Sequence, residues 1–214
     1  MSSARETVLR RVREATAAAA TPGPAVRAYR RSGSLDRAER TRLRCERLGD
    51  YGADVRQVTP AGLRAAVAAA FSAGNATRIV IPPALPLDWR PDGLALVEDG
   101  GLGPGELDRM DGVLTGCALA IAETGTIVLA AGPHEGRRAL TLVPDLHVCV
   151  LAEGDVVELV PEATDRLGDL LVRQHRPLTL VSGPSATSDI ELSRVEGVHG
   201  PRRLVVLVVL QEQP

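Results

Sequence analysis

The chain has 214 residues, of which 44% are hydrophobic and 2% aromatic, so its core has to be built from aliphatic side chains. All 25 basic residues are arginine, which excludes Schiff-base chemistry by a lysine side chain and the phosphate-binding lysine of a P-loop. With a net charge of −2 and so few aromatic rings, the sequence also lacks the basic surface and the stacking platforms typical of nucleic-acid binding.

The three cysteines, Cys45, Cys117 and Cys149, are odd in number and far apart along the chain. This usage favours a reducing cytosol over a disulfide framework, and it supplies too few thiolates for an iron–sulfur cluster held by this chain alone. The arginine-rich start contains no apolar segment of the kind that a secretory signal or a membrane span requires. The sequence therefore predicts a cytoplasmic protein with no membrane span and with no metal or cofactor bound by this chain alone.

The beginning of the chain predicts a helical extension. Ser3 and Glu6 have the spacing of a capping box, which indicates the start of a first helix. A second helix is expected from Ser34 to about Leu48, where arginine and glutamate alternate on a solvated, self-paired face. We therefore divide the chain into a helical extension, residues 1–50, and an α/β domain, residues 51–214.

Strand and helix patterns alternate through the next part of the chain. A helix capped by Thr59, with Pro60 in its first turn, is expected to run to about Ala73. The alternation argues for an α/β fold with a mainly parallel sheet flanked by helices on both faces. The strands predicted in this part are Ala53–Val58, Arg78–Ile81, Leu94–Val97, Gly112–Leu114, Ile127–Ala131 and Leu146–Leu151.

The segment Thr115–Thr126, TGCALAIAETGT, contains one charged residue, Glu123, among small and aliphatic residues. A carboxylate in such surroundings is expected to be buried and to have a raised pKa, as a general base or a nucleophile does. The alternative is a structural role, in which Glu123 accepts hydrogen bonds from backbone N–H groups of the turn at Thr124 and Gly125. The residue pattern leaves both roles open.

Two short patterns follow that segment. Arg137 and Arg138 lie where a helix is expected to begin, and since adjacent helical residues point in different directions, at most one of them should face an anionic ligand. His147 and Cys149 share one face of a predicted strand, because side chains alternate along a strand. Two ligands do not make a metal site, so a packed or hydrogen-bonded His147 is expected.

The last informative stretch is the polar loop of residues 183–201, GPSATSDIELSRVEGVHGP, between the apolar segments Leu178–Ser182 and Leu204–Leu210. Both segments predict buried strands, and the second predicts a central one because LVVLVVL is apolar on both faces. Open α/β sheets bind ligands at the carboxyl ends of their strands, so we expect the polar loop to form a ligand site there. His199 either lines this site or caps the end of a strand. Asp189 either binds the ligand or lies near the start of a helix, where its negative charge interacts favourably with the helix dipole.

Three motifs in this order, TGCALAIAETGT, RRALTLVPDLHVCV and the polar loop, resemble the LutC/YkgG family of lactate-utilisation proteins, the LUD domain family. The resemblance extends over residues 111–210. It implies a fold like that of the NagB/RpiA/CoA-transferase group. It also implies a non-redox role in the oxidation of L-lactate beside two iron–sulfur proteins, which carry the clusters, with a small organic acid or another anion as the ligand of this chain.

The resemblance also implies roles for individual residues of the two polar turns. Glu123 and His199 are the candidate catalytic residues. The candidate ligand-binding residues are Thr124, Gly125, Thr126, Gly183, Ser185, Thr187, Asp189 and Gly200. The alternative is a stand-alone enzyme of the isomerase, acyl-CoA transferase or folate cyclo-ligase type, in which hydroxyl groups bind an anion and Glu123 or His199 moves protons. Both hypotheses require the two turns to converge at one edge of the sheet.

Overall fold

The computed structural model describes residues 3–17, 23, 26–187, 195–197 and 199–211. The chain divides into two compact units, Met1–Arg30 and Arg31–Pro214. The first unit contains a helix that starts as predicted: the Glu6 N–H donates to Ser3 Oγ (3.2 Å), and the Ser3 N–H donates to Glu6 Oε2 (2.8 Å). This reciprocal capping satisfies two backbone donors at the start of the helix. Within the described ranges, no helix is long and apolar enough to cross a membrane.

Helices and strands follow one another along the described chain. The α-helices are α1 (Ala4–Thr16), α2 (Arg37–Asp50), α3 (Leu63–Ala73), α4 (Pro104–Leu107) and α5 (Val160–Val172). The strands are β1 (Asp54–Val58), β2 (Arg78–Ile81), β3 (Ala95–Glu98), β4 (Gly112–Gly116), β5 (Leu119–Ile121), β6 (Thr126–Leu129), β7 (Leu146–Ala152), β8 (Val156–Val157), β9 (Thr179–Val181), β10 (Ala186–Thr187), β11 (Val195–Glu196) and β12 (Arg203–Val209). Short 3₁₀ helices span Pro60–Gly62, Leu87–Trp89, Arg138–Thr141 and Glu153–Asp155.

Six strands form one wholly parallel sheet in the order β1-β12-β7-β4-β2-β3. Strand β12 pairs with β1 on one side and with β7 on the other, so the predicted central strand is confirmed. Its residues are aliphatic on both faces: Val205 and Leu207 belong to the core on one side, and Leu204 and Val206 to the core on the other. The predicted mainly parallel α/β sheet is thereby confirmed.

The two faces of the large sheet are covered differently. Helix α3 covers one face through Val67 and Phe71, both fully buried. The other face is covered by Leu48 of α2 together with Ala120 and Ile127, which come from a second sheet. Helix α2 therefore packs inside the unit Arg31–Pro214, while the domain boundary at residue 50 stays a prediction.

The second sheet has the strand order β8-β5-β6-β9, and α5 packs on it through Ala163 and Leu167. The apolar segment Leu178–Ser182 predicts a buried strand, and that prediction is wrong. Strand β9, within this segment, lies at the edge of the second sheet, antiparallel to β6, and Leu180 is 59% exposed. An edge strand has a neighbour on one side only, so an apolar residue there can remain open to solvent.

Candidate functional site

Two of the cavities lie on opposite sides of the six-stranded sheet, one at the amino ends of its strands and one at the carboxyl ends. The larger has a volume of about 540 Å³ and lies at the amino ends of β7 and β12; we call it the amino-edge cavity. The smaller has a volume of about 330 Å³ and lies at the carboxyl ends of β4, β7 and β12; we call it the carboxyl-edge cavity. Both fall within the range of about 300–1,000 Å³ that is usual for ligand pockets. The amino-edge cavity is lined by Asp50, Tyr51, Arg138, Thr141, His147, residues 179–185, residues 199–201 and Leu204.

The polar loop lines the amino-edge cavity, not the carboxyl edge where the sequence predicts it. Its first residues leave β9 at that strand's carboxyl end, but its last residues enter β12 at the amino end. The prediction assumed that the strand before the loop belongs to the parallel sheet. Because β9 belongs to the second sheet instead, the loop arrives at the opposite edge of the parallel sheet.

Ser185 holds the two ends of the polar loop together. Its N–H donates to the Pro201 carbonyl (2.8 Å), and its carbonyl accepts from the Gly197 N–H (3.0 Å). Its hydroxyl oxygen accepts from the His199 N–H at 2.9 Å. Gly200 follows with φ of 155°, a backbone conformation that side-chain-bearing residues rarely adopt. These bonds place His199, whose side chain is exposed, at the rim of the cavity.

Of the two adjacent arginines, Arg138 lines the cavity and Arg137 does not. Arg137 forms a two-point ion pair with Asp99, with Nε–Oδ2 at 2.7 Å and Nη2–Oδ1 at 2.9 Å. Arg138 is half-buried, and its Nη1 donates to both the carbonyl (2.7 Å) and the hydroxyl (2.9 Å) of Thr141. Burial lowers the pKa of Arg138, but a guanidinium keeps its charge in proteins. The cavity therefore has a positioned cation in its wall.

His147 forms part of the inner wall of the same cavity. It is 2% exposed, and its Nε2 lies 2.8 Å from Thr115 Oγ1 on the neighbouring strand β4. The expectation of a packed or hydrogen-bonded histidine is confirmed. Within the described residues, no three or more histidine, cysteine, aspartate or glutamate side chains gather in a group that could hold a metal ion.

The Glu123 turn lies beside this cavity but does not line it. The Glu123 side chain is exposed, so the prediction of a buried carboxylate is wrong: Glu123 lies at the tip of the β5–β6 hairpin with its side chain in solvent, although Ala122 and Gly125 of the same turn are buried. Thr126 Oγ1 lies 2.8 Å from Thr124 Oγ1 and 2.9 Å from the hydroxyl of Ser182, a lining residue. The Glu123 turn is thus linked to Ser182, the residue just before the polar loop, and the two polar turns do not share the cavity wall.

Two glycines of the predicted site pack against the end of α2. A Cβ added at Gly125, which has φ of 58°, would lie 2.6 Å from Arg47 Cβ, and one added at Gly183 would lie 2.8 Å from Tyr51 Cβ. These two glycines thus permit close approach of the chain to α2. The backbone of Thr187 pairs with Val195 in the β10–β11 ribbon. Asp189 lies outside the described residues.

The carboxyl-edge cavity was missed by the sequence reasoning. Its wall contains Trp89, Cys117, His134 and Glu135, and the rings of Trp89 and His134 meet edge to face at 6.0 Å. Glu135 is 7% exposed and accepts a hydrogen bond from the Ala130 N–H. Burial raises the pKa of Glu135, and hydrogen bonds from backbone N–H groups offset only part of this rise. The signal that was available is the turn GPHEG, a carboxylate between two glycines, the same kind of pattern that drew attention to Glu123.

Comparisons with known proteins give a consistent result. Residues 105–209 match the LUD domain family. The chain is 51% identical to Lactate utilization protein C of Deinococcus radiodurans over 82% of each chain. It is 30% identical to the uncharacterized protein YkgG of Escherichia coli over 54% of this chain and 52% of that one. Among solved structures, a DUF162 family protein from Deinococcus radiodurans is similar at a TM-score of 0.72 and 43% identity, over 82% of this chain and 99% of that chain.

Proposed function

Because this chain belongs to the LUD domain family of lactate-utilisation proteins, we propose that it takes part in lactate utilisation and that its amino-edge cavity binds a small organic acid. L-lactate and its oxidation product pyruvate are the first candidates. Each carries one carboxylate and one oxygen on the adjacent carbon, so the cavity has to offer a cation and a polar group that can hydrogen-bond the second oxygen.

The observation that carries this proposal is the position of Arg138 in the wall of the amino-edge cavity. Thr141 holds one end of its guanidinium, which fixes the side chain before a ligand arrives. Guanidinium groups bind carboxylates through paired, charge-assisted hydrogen bonds, which are about twice as strong as neutral ones. Arg138 would bind the carboxylate of the acid in this way.

The imidazoles of His147 and His199 both line the cavity, and either can hydrogen-bond the oxygen on the adjacent carbon. Oxidation of lactate to pyruvate releases two electrons and two protons. We propose that this chain binds and orients the acid, that an imidazole accepts the hydroxyl proton, and that the proton from the broken Cα–H bond passes to solvent. The electrons would pass to two iron–sulfur partner proteins, in agreement with the family resemblance.

The alternative of a stand-alone transferase or isomerase has less support. Of its two candidates for moving protons, His199 lines the cavity and fits both hypotheses equally, so the distinction rests on Glu123, which would have to lie next to the bound anion. The Glu123 side chain is exposed and is not part of the wall of the amino-edge cavity. The non-redox, acid-binding role needs no carboxylate there.

The test is a calorimetric titration of the purified protein with L-lactate and with pyruvate, using the variants Arg138→Gln and Arg137→Gln. Arg138→Gln is expected to weaken binding about tenfold or more, because hydrogen bonds to charged groups are worth about 1.5–3 kcal/mol. Arg137→Gln removes the same charge one residue away and is expected to bind as the wild type does. Thermal unfolding establishes that both variants are folded. Failure of the wild type to bind either acid, or equal binding by the two variants, contradicts the proposal.

A further inference from the structure

The carboxyl-edge cavity is not used by the lactate-binding proposal. It lies where open parallel sheets usually bind ligands, at the carboxyl ends of their strands, and its volume of about 330 Å³ suits a small molecule. Much of its wall is apolar, with Leu63 from α3, Val150 from β7 and Val209 from β12 beside the ring of Trp89. The cavity therefore offers an apolar surface to the body of a small organic ligand.

Contacts with Gly116 and His134 position the ring of Trp89 in this wall. A Cβ added at Gly116, the last residue of β4, would lie 3.4 Å from the nearest atom of the Trp89 ring, so the glycine permits this close approach. The Gly116 N–H donates to the His134 carbonyl at 2.8 Å, and the rings of His134 and Trp89 meet edge to face. An aromatic surface is thus in place before a ligand binds.

The wall also carries three carboxylates, those of Asp88, Glu135 and Asp155. No arginine of the described residues lines it, although the chain contains 25. The charge of Asp155 is paired, because its Oδ1 lies 2.5 Å from Nη2 of Arg166. Asp88 is exposed and lies at the rim. Glu135 is therefore the carboxylate that a ligand inside the cavity would meet.

Glu135 is buried without a counter-charge. Its side chain is 7% exposed, and among the described residues no cation forms an ion pair with it. Burial raises the pKa of Glu135, and the charge of Arg176 lowers it less than the hydrogen bonds from Ala130 and Gly132 do. A carboxylate can accept about four hydrogen bonds, so these two leave room for a ligand. Because burial disfavours an unpaired charge, a cation that enters the cavity would stabilise the charged form.

The two features of the wall together select the class of ligand. A carboxylate or a phosphate would be repelled by Glu135 and would find no guanidinium among the described lining residues to pair with. A neutral apolar molecule would cover the wall but would leave Glu135 without a counter-charge. A cation with an apolar body complements both features.

We propose that the carboxyl-edge cavity binds a small primary ammonium ion with an apolar body. The ammonium group donates charge-assisted hydrogen bonds to the Glu135 carboxylate, and the apolar body packs against Trp89 and the aliphatic part of the wall. Asp88, at the rim, attracts the cation towards the cavity. The two cavities share no lining residue among those described, so this proposal and the lactate-binding proposal stand or fall separately.

The test is a calorimetric titration of the full chain at neutral pH with benzylammonium and with benzyl alcohol. The two probes have the same size and the same ring, but benzylammonium carries a positive charge at neutral pH, as a lysine side chain does. The wild type is expected to bind benzylammonium at least about tenfold more tightly, because benzyl alcohol forms no charge-assisted bond with Glu135. Equal binding of the two probes, or no binding of benzylammonium, overturns the proposal.

Three variants assign the preference to this cavity. Glu135→Gln keeps the shape and is expected to lose the preference for the charged probe, whereas Trp89→Leu is expected to weaken the binding of both probes. Glu46→Gln removes the same charge at an exposed position of α2 and is expected to bind as the wild type does. Thermal unfolding establishes that each variant is folded. Retention of the preference by Glu135→Gln, or its loss in Glu46→Gln, overturns the proposal.

The wild type also reports the position of the probe without any substitution. Trp89 is the single tryptophan of the chain, so tryptophan fluorescence comes from the wall of this cavity. Benzylammonium is expected to change this emission with the same midpoint as the calorimetric titration. Emission that stays constant while calorimetry shows saturation would mean that the probe binds elsewhere, which overturns the proposal.

Discussion

At the scale of single residues, the buried carboxylate of Glu135 makes a prediction about stability and pH. Because burial raises its pKa in the folded protein, its contribution to stability is complete below the unfolded pKa of about 4.3 and is lost as the pH rises through the folded value. Gln has the same shape, keeps an oxygen to accept the Ala130 N–H and does not ionise. Relative to wild type, Glu135→Gln is therefore expected to become more stable as the pH rises from 4.5 to 7.5.

Urea unfolding at pH 4.5 and at pH 7.5 gives the free energy of unfolding of wild type and of Glu135→Gln. The difference between the two proteins is expected to change from one pH to the other. The control is Glu46→Gln, at an exposed position of α2. If the free-energy difference between wild type and Glu135→Gln is the same at both pH values, the prediction is contradicted.

The comparison of Glu123 with Glu135 shows where sequence reasoning reaches its limit for single residues. Both are lone carboxylates next to glycine, and the sequence singled out Glu123 because its neighbours are apolar. Those neighbours are buried, and so is Gly125 in the same turn, but the Glu123 side chain itself is exposed, whereas the Glu135 side chain is buried. Local composition gives the burial of a segment, while the direction of one side chain depends on contacts that are distant in sequence.

At the scale of elements, Glu162 of α5 and Glu158, just after β8, hold the segment that leads into α2. The Gly33 N–H donates to Glu162 Oε1 at 2.7 Å, and the Leu35 N–H donates to Glu158 Oε2 at 2.7 Å. Burial raises the pKa of Glu162, but hydrogen bonds from the backbone of Gly33, Leu159 and Glu158 outweigh burial and lower it. The carboxylates thus satisfy backbone donors on both sides of this contact.

This contact predicts opposite effects for two glycine-to-alanine substitutions. A Cβ at Gly33 would lie 2.5 Å from Glu158 Cβ, so Gly33→Ala is expected to destabilise the protein by about 1–3 kcal/mol. A Cβ at Gly168, inside α5, would meet nothing within 4 Å, so Gly168→Ala is expected to stabilise by about 0.5–1 kcal/mol. Urea unfolding measures both, and changes of the same sign would contradict the assigned packing.

The elements differ in how well the sequence predicts them. Strand β12 is predictable because a run of aliphatic residues with no polar face fits only the buried centre of a sheet. Strand β9 belongs to another largely apolar segment, yet it lies at the edge of the second sheet. It has three residues, and so short a strand carries no pattern that separates a central position from an edge position. This single difference also moves the polar loop from the predicted edge of the parallel sheet to the opposite one.

At the scale of the whole molecule, β7 connects the two cavities. His147, near its amino end, forms part of the amino-edge cavity, and Val150 and Ala152, near its carboxyl end, line the carboxyl-edge cavity. The family could be predicted from three ordered motifs, and all three lie within residues 105–209, which match the LUD domain family. The second cavity could not, since Trp89, Cys117 and Glu135 come from three separate loops that only the folded sheet brings together.

The last prediction concerns the assembly in which this chain is proposed to act. Removing two electrons from lactate requires an acceptor, and the proposed function assigns the acceptor to iron–sulfur partners. The purified chain alone is therefore expected to form no pyruvate from L-lactate. Co-expression with the two iron–sulfur proteins is expected to give pyruvate together with bleaching of the cluster absorbance. Arg138→Gln in that assembly is expected to raise the KM for lactate about tenfold, as its loss of a charge-assisted bond implies. Pyruvate formation by this chain alone would contradict the assignment of the electron acceptor to the iron–sulfur partners, because the two electrons would then have been accepted without them.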